Sequence, residues 1–204
     1  MSHTSVAHVT MANDAHVKDE AKATLGFWIY LMTDCVLFAS LFAVYAVLHK
    51  NVASGPGGPE LFSLPYALVE TFVLLTSSFT SGLAMLSAHR GDRDRTINWF
   101  AITGLLGVVF LAMELSEFAT LVHAGHSWSQ SGFLSSYFTL VGVHGLHITV
   151  GLLWLVLLVA QVMRKGFTHG TMKRLTLFST FWHFLDLIWI FIFTVVYLSS
   201  GVNL

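Results

Sequence analysis

The sequence is poor in charge and in cysteine. Only 10% of its 204 residues are Asp, Glu, Lys or Arg, and because an ordinary soluble domain has about 25%, that class is excluded. The formal net charge of −1 provides no basic face for nucleic acid. The single cysteine, Cys35, can form no internal disulfide and cannot supply the two thiolates of a binuclear copper centre or a thiolate zinc site. We expect Cys35 to be a small buried side chain.

Proline is also scarce, with three residues in the chain. Pro56 and Pro59 fall in the loop sequence SGPGGP, and Pro65 begins an apolar stretch, where a first-turn N–H needs no partner. No proline interrupts a long apolar stretch and no inverted repeat is evident, so a transporter built on broken helices has no support. The first 23 residues lack the apolar segment of a signal peptide, which predicts a short polar tail.

Five long apolar stretches dominate the sequence. Hydrophobic residues make up 55% of the chain and the mean hydropathy is +0.71. Each stretch reaches the roughly 20 residues with which a helix crosses a bilayer, and lipid does not tolerate unpaired backbone groups. We therefore predict an all-α membrane protein, with a polar tail at residues 1–24 and a bundle of five transmembrane helices within residues 25–204. The predicted spans are 25–48, 64–88, 97–122, 136–163 and 175–199.

Basic residues are distributed unevenly among the predicted loops. The loops after spans two and four are basic, whereas the loop after span three, HAGHSWSQSG, has no Lys or Arg. The positive-inside rule places basic loops in the cytoplasm. This predicts a cytoplasmic N-terminus and a periplasmic C-terminus. The basic loop residues are Arg90, Arg93, Arg95, Arg164, Lys165, Lys173 and Arg174.

Ionisable side chains inside the predicted spans are the most informative feature. Five of the eleven carboxylates and three of the eleven histidines lie at membrane depth, but none of the ten Lys and Arg residues does. A charged group is costly in hydrocarbon, so these groups should face protein or water and be paired or neutral. The candidate intramembrane polar and proton-related residues are Asp34, Glu70, Glu114, Glu117, His144, His147, His183 and Asp186.

Six of these residues form pairs with i, i+3 spacing, which puts both members on one helix face. The pairs are Glu114 with Glu117, His144 with His147, and His183 with Asp186. We expect the three faces to meet, with imidazole N–H groups donating to carboxylates or carbonyls. Gly142, Gly145 and Gly151 would permit close helix approach. The hydroxyl-rich sequence TSSFTSG, residues 76–82, favours helix packing for the same reason.

Taken alone, the residues leave several functions open. The pairs fit structural hydrogen bonds between helices, which is the interpretation the spacing favours. They also allow a metal site, although di-iron bundles use Glu-x-x-His pairs, which are absent here. One bis-histidine haem could be held by His183 with either His144 or His147. A proton-conducting role would require water to reach the carboxylates.

Five motifs together resemble one known family, subunit III of the haem-copper oxidases. The resemblance covers residues 25–199. It is greatest to the bo-type ubiquinol oxidases, because the chain has no room before Leu25 for the two additional helices of the cytochrome c oxidases. The motifs, in chain order, are GFWIYLMTDCVLF (26–38), LVETFVLLTSSFTSG (68–82), MELSEF (113–118), VGVHGLHITVG (141–151) and STFWHFLDLIWIFIFTVVYL (179–198).

The resemblance implies a supporting role in a respiratory complex of the bacterial inner membrane. In this family the haems and copper reside in subunit I, so we expect no catalytic, cofactor-binding or metal-binding residue in this chain. We expect direct contact with subunit I, with subunits II and IV in the same complex, and bound phospholipid. Asp34 matches the carbodiimide-reactive glutamate of the cytochrome c oxidases. The alternative is a free-standing intramembrane metalloenzyme that uses the paired residues of spans three to five.

Overall fold

The computed structural model describes residues 3–49, 63–125 and 131–198, and of residues 3–20 the backbone alone. Within these ranges the chain is helical apart from short turns and contains no strand, which confirms the predicted all-α class. The helices are α1 His3–Leu48, α2 Leu64–His89, α3 Arg93–His123, α4 Gly132–Lys165 and α5 His169–Ile192, and α5 continues into a π-helical turn, Phe193–Leu198.

All five helices are long and apolar enough to cross a membrane, so the predicted number of spans is confirmed. In α1 the apolar segment is Ala21–Leu48. The predictions for the SGPGGP loop, for most of the loop after span three and for the C-terminal end fall on residues 50–62, 126–130 and 199–204, which lie outside the described residues. The side chains of most of the predicted N-terminal tail also lie outside the described part of the chain.

Polar caps determine where three helices begin. In each case a side-chain oxygen accepts a hydrogen bond from a backbone N–H of the first turn, which would otherwise lack a partner. As a result α3, α4 and α5 begin before the apolar stretches at residues 97, 136 and 175. The bonds join Asp92 to Arg95, Ser131 to Leu134 and Thr168 to Thr171, each at 3.2 Å.

By its internal contacts the chain divides into two units, Met1–Leu37 and Phe38–Leu204. The first unit is the N-terminal part of α1. Leu31 and Asp34 are buried there, whereas Cys35 is exposed, so the expectation of a buried cysteine is wrong. The reason is helical geometry, since a residue next to a buried one lies about 100° farther around the helix.

The second unit has an aromatic core. In it α2 packs along α3, and α5 packs against both α2 and α4. The ring of Trp189 meets Phe110 edge-on with centroids 4.7 Å apart, and Trp182 stacks on Phe178 at 5.5 Å. Such pairs add about 0.5–1.5 kcal/mol to the stabilisation from buried area. The first contact holds α5 against α3, and the second joins two residues one turn apart on α5 itself.

The hydroxyl-rich face of α2 points into this core, which confirms its predicted packing role. The indole N–H of Trp182 donates to Ser77 Oγ over 3.1 Å, and Ser77 donates to the carbonyl of Thr103 over 3.0 Å. The hydroxyls of Thr80 and Thr103 lie 2.9 Å apart. These bonds connect α2 with α3 and α5 and fix the rotation of α2 about its axis.

Candidate functional site

Three carboxylic acids from two neighbouring helices cluster in the second unit. Glu70 lies on α2, whereas Glu114 and Glu117 lie on α3. Glu70 and Glu114 are 0% and 2% exposed, and the three side chains interact electrostatically. Both oxygens of Glu70 and Oε2 of Glu114 lack a hydrogen-bond partner among the described residues. Because close carboxylates in a low-dielectric interior repel one another, this cluster needs protons or uncharged donors.

Two tyrosines supply donors to one member of the cluster. The hydroxyl of Tyr197, in the π-helical turn, donates to Glu117 Oε2 over 2.7 Å. The hydroxyl of Tyr137, on α4, donates to the same oxygen over 3.2 Å, and the two hydroxyls are 3.1 Å apart. Both rings are buried. Glu117 thereby connects α3 to α4 and to the end of α5.

A small pocket with several hydroxyl groups in its lining opens beside Glu117. It has a volume of about 240 Å³ and is bordered by residues from the start of α2 and the end of α3, among them Ser63 and Thr120. On its rim the hydroxyl of Tyr66 lies 2.7 Å from Ser116 Oγ. Glu117 is partly exposed there, whereas Glu70 and Glu114 are buried. The cluster therefore meets the pocket through Glu117.

Close approach of α4 brings Glu114 against a glycine. A Cβ atom added at Gly145 would lie 2.7 Å from Glu114 Oε1, and one at Gly151 would lie 3.0 Å from the ring of Trp182. At Gly142 the nearest atom, from Phe118, would be at an ordinary 3.9 Å. The predicted small face of α4 is thus confirmed at two of its three glycines.

The two histidines of α4 have different surroundings. His144 is 0% exposed and stacks on Trp189 at 5.3 Å, with Phe110 edge-on at 6.0 Å. Neither of its ring nitrogens has a hydrogen-bond partner among the described residues. His147 uses Nδ1 to bind the carbonyl of Val143, one turn back, at 2.7 Å. His144 is therefore part of the aromatic core.

The pair on α5 faces a serine of α2. Nδ1 of His183 lies 2.5 Å from Ser78 Oγ, and the side chain of Ser78 is also hydrogen-bonded to Asp186. Ser78 and Asp186 are buried, whereas His183 is exposed. Oδ1 of Asp186 has no partner among the described residues. One serine thus joins both members of an i, i+3 pair to the neighbouring helix.

Asp34 belongs to the first unit. Its side chain is 6% exposed and accepts a hydrogen bond from the hydroxyl of Tyr30, one helical turn earlier. This bond compensates part of the cost of placing a carboxyl group within an apolar span.

Comparison with known proteins decides the family. The family model of cytochrome c oxidase subunit III matches residues 5–201. The chain belongs to this family. It is 53% identical over 200 residues to cytochrome bo(3) ubiquinol oxidase subunit 3 of Pseudomonas aeruginosa, which is 98% of this chain and 96% of the relative. It is 42% identical over 182 residues to the same subunit of Buchnera aphidicola subsp. Baizongia pistaciae (89% and 94%), and 44% identical over 176 residues to quinol oxidase subunit 3 of Bacillus subtilis (86% of each).

In this subunit III chain the expected hydrogen bonding between the paired faces fails at His144, which has no hydrogen-bond partner among the described residues. Glu114 and Glu117 lie with Glu70 of α2, and Nδ1 of His183 is bonded to Ser78. The i, i+3 spacing establishes which residues share a face of their own helix. It does not establish how far each helix is rotated toward its neighbour, and that rotation selects the partner.

Three partners in the subunit III chain were missed by sequence reasoning, namely Tyr137, Tyr197 and Ser78. A tyrosine near the end of a span is typical of an anchor at the membrane interface, but Tyr197 is buried in the protein, with 1% of its surface exposed. The available signal was the hydroxyl itself, because a buried tyrosine usually requires a hydrogen-bond partner. Ser78 gave a weaker signal, as one of several hydroxyls in TSSFTSG.

The metalloenzyme alternative is not supported for the subunit III chain. Nowhere in the described ranges do three or more His, Cys, Asp or Glu side chains come together in a way that could hold a metal ion. His183 is bonded to Ser78, and His144 is enclosed by aromatic rings. The arrangement instead provides contacts between helices.

Proposed function

We propose that this chain is the non-catalytic subunit III of a bo-type ubiquinol oxidase in the bacterial inner membrane. The observation that carries the proposal is the 53% identity to the Pseudomonas aeruginosa subunit across 98% of this chain. The complex oxidises ubiquinol, reduces oxygen to water and pumps protons, and this chain stabilises it. Five membrane-length helices joined by buried polar contacts support a structural role.

The proposed partners follow from the family. Subunit I carries the haems and copper and contacts this chain directly, and subunits II and IV complete the assembly. The test is purification of an affinity-tagged subunit I from membranes that express this chain, followed by redox difference spectra. We expect co-purification with a haem b and haem o spectrum. A monodisperse chain that is recovered alone in mild detergent, or one with stoichiometric bound iron or copper, would overturn the proposal.

Bound phospholipid is a further part of the proposal. A groove of about 430 Å³ runs between α3 and α4 and is lined by apolar residues, including Gly104 and Ala160. Met163 lines one end, where the guanidinium of Arg93 donates to its carbonyl. An acyl chain fits the groove, with its phosphate near Arg93. Ala160→Trp should lower the phospholipid content of the purified complex, and the exposed Leu146→Trp should not. Equal contents would contradict this site.

The proposed orientation has a cytoplasmic N-terminus, a cytoplasmic polar tail at residues 1–24 and a periplasmic C-terminus. The ends of α3 provide the test, in a Cys35→Ser background that removes the single native cysteine. In spheroplasts, a membrane-impermeant maleimide should label Ala124→Cys but not Asp94→Cys, both of which are exposed positions. The opposite labelling pattern would invert the orientation.

We also propose that Asp34 assists proton uptake by subunit I. Its position in the family motif and its burial support this role. Asp34→Asn should slow proton uptake at high pH, where protons are scarce, and Asp34→Glu, which restores the acid, should not. Unchanged uptake by Asp34→Asn across pH would contradict the role.

A further inference from the structure

An imidazole reaches the outer surface of the bundle at the middle of the apolar spans. His183 is exposed and lies halfway along the span His169–Leu198. Its bonded neighbour, Ser78, lies halfway along Leu64–His89. Ionisable groups at this depth are costly unless protein or water satisfies them. The exposed part of this ring therefore requires an explanation beyond the chain itself.

The inner edge of the ring is already engaged. Nδ1 is 2.5 Å from the buried Ser78 Oγ, which is also bonded to the buried Asp186. The first contact anchors the inner edge of the ring and the second holds Ser78, so Nε2, on the opposite edge of this exposed imidazole, is left for an outside partner. A preorganised polar atom loses little conformational entropy when it binds a partner.

The surface around this nitrogen is apolar. One turn farther along α5 lies Leu187, which is 52% exposed, and on α2 Leu75, which shares a helix face with Ser78, is 41% exposed. Thr180, on the same face of α5, donates its hydroxyl to the carbonyl of Thr176. A polar nitrogen bordered by exposed apolar side chains has the arrangement of an interface anchor, in which surrounding contacts exclude other molecules from the central bond. Acyl chains could cover the apolar side chains, but they offer no hydrogen-bonding group.

We propose that the α2–α5 face centred on His183 is the docking surface for a transmembrane helix of subunit I. The partner helix supplies a side-chain hydroxyl or amide that hydrogen-bonds to Nε2 at mid-membrane depth. This inference rests on the proposed function, because that function supplies the partner. A lipid headgroup is the wrong occupant, since headgroups lie at the bilayer surface and not at its middle.

Two substitutions separate the outward nitrogen from the inward one. The amide nitrogen of His183→Asn can occupy the position of Nδ1 and keep the Ser78 contact, but it leaves the outward position empty. His183→Gln extends one bond farther and places its amide near the position of Nε2. We expect His183→Gln to retain this chain on affinity-purified subunit I and His183→Asn to reduce retention by about three- to fifteen-fold, the range for one hydrogen bond between membrane helices.

The measurement is the ratio of this chain to tagged subunit I after purification in mild detergent, normalised to the amount in the membrane. Leu146→Ala, on an exposed position of α4, is the control and should match wild type. Retention by His183→Asn with loss in His183→Gln would show that the inward contact matters and would overturn the inference. So would equal retention of both variants, or cross-linking of Leu187→Cys, in the Cys35→Ser background, to a second copy of this chain. If the wild-type chain itself is not retained on subunit I, the proposed function is contradicted, and the docking surface falls with it.

Discussion

Gly145 has a hydrogen atom at the position where any other residue has a Cβ carbon. That difference lets α4 approach α3 until the carboxyl group of Glu114 lies against the backbone. Gly145 and Gly142 lie in the same helix, so substitution by alanine raises the local helix propensity by a similar amount at both positions. Their surroundings differ, which makes them a matched pair.

Gly145→Ala should destabilise the bundle by about 1–3 kcal/mol, because the new methyl group would overlap Glu114 Oε1 in a packed interior. Gly142→Ala meets only ordinary van der Waals contact and should be neutral or slightly stabilising. The thermal unfolding midpoint of the purified complex measures both. Equal midpoints for the two variants would show that Glu114 relaxes without cost.

Tyr197→Phe should destabilise the bundle by about 1–3 kcal/mol, since it removes the 2.7 Å hydrogen bond to Glu117 and leaves one tyrosine donor there. Tyr66→Phe is the control, because its hydroxyl lies at the rim of the pocket, where its bond to Ser116 is exposed and its bond to the carbonyl of Met113 is part-buried. Dissociation of the chain from the complex on heating measures the loss. A larger effect at Tyr66 than at Tyr197 would contradict the assigned roles.

At the scale of the element, hydropathy predicted the helices but not their ends. The stretch 97–122 is apolar, yet α3 begins at Arg93 because Asp92 caps it. A hydropathy pattern stops at the last apolar residue, whereas a capped helix extends through polar ones. The π-helical turn Phe193–Leu198 was not predicted either, since its sequence, FTVVYL, is typical of an ordinary apolar α-helix.

Asp92→Ala should destabilise the start of α3 by about 0.5–2 kcal/mol, because the N–H of Arg95 loses its acceptor. Asp92→Asn keeps a side-chain oxygen and should behave like wild type, although it weakens the exposed 3.1 Å ion pair with Arg95. Hydrogen exchange of the amides in the first turn of α3 measures the fraying. Equal exchange in Ala and Asn variants would assign the effect to charge and not to the cap.

At the scale of the whole molecule, the sequence predicted the membrane class, the number of spans and the family. It also identified the buried acids, because ionisable residues stand out in an apolar sequence. It did not predict that Glu117 would meet Tyr137 and Tyr197, or that His144 would stack on Trp189. Those contacts depend on the rotation and depth of each helix, which the packing of the entire unit determines.

Glu117→Ala and His147→Ala should shorten the working lifetime or lower the assembly of the oxidase more than they lower its initial turnover. The reason is that both side chains make structural contacts in this chain, whereas the proposed redox centres lie in subunit I. Turnover followed over time, together with the subunit ratio, measures this. Loss of haem reduction in a fully assembled variant would contradict a structural role.

The π-helical turn also determines how the chain tolerates a change in length. An α-helix advances about 100° per residue, and a π-helical turn accommodates one residue more than an α-helical turn. The surplus residue is therefore absorbed within this turn, and deleting one residue from positions 193–196 should restore an α-helical turn while leaving the hydroxyl of Tyr197 close to Glu117. The same deletion in the regular part of α5 would rotate the residues that follow it by about 100° and move them away from their partners on α2 and α4.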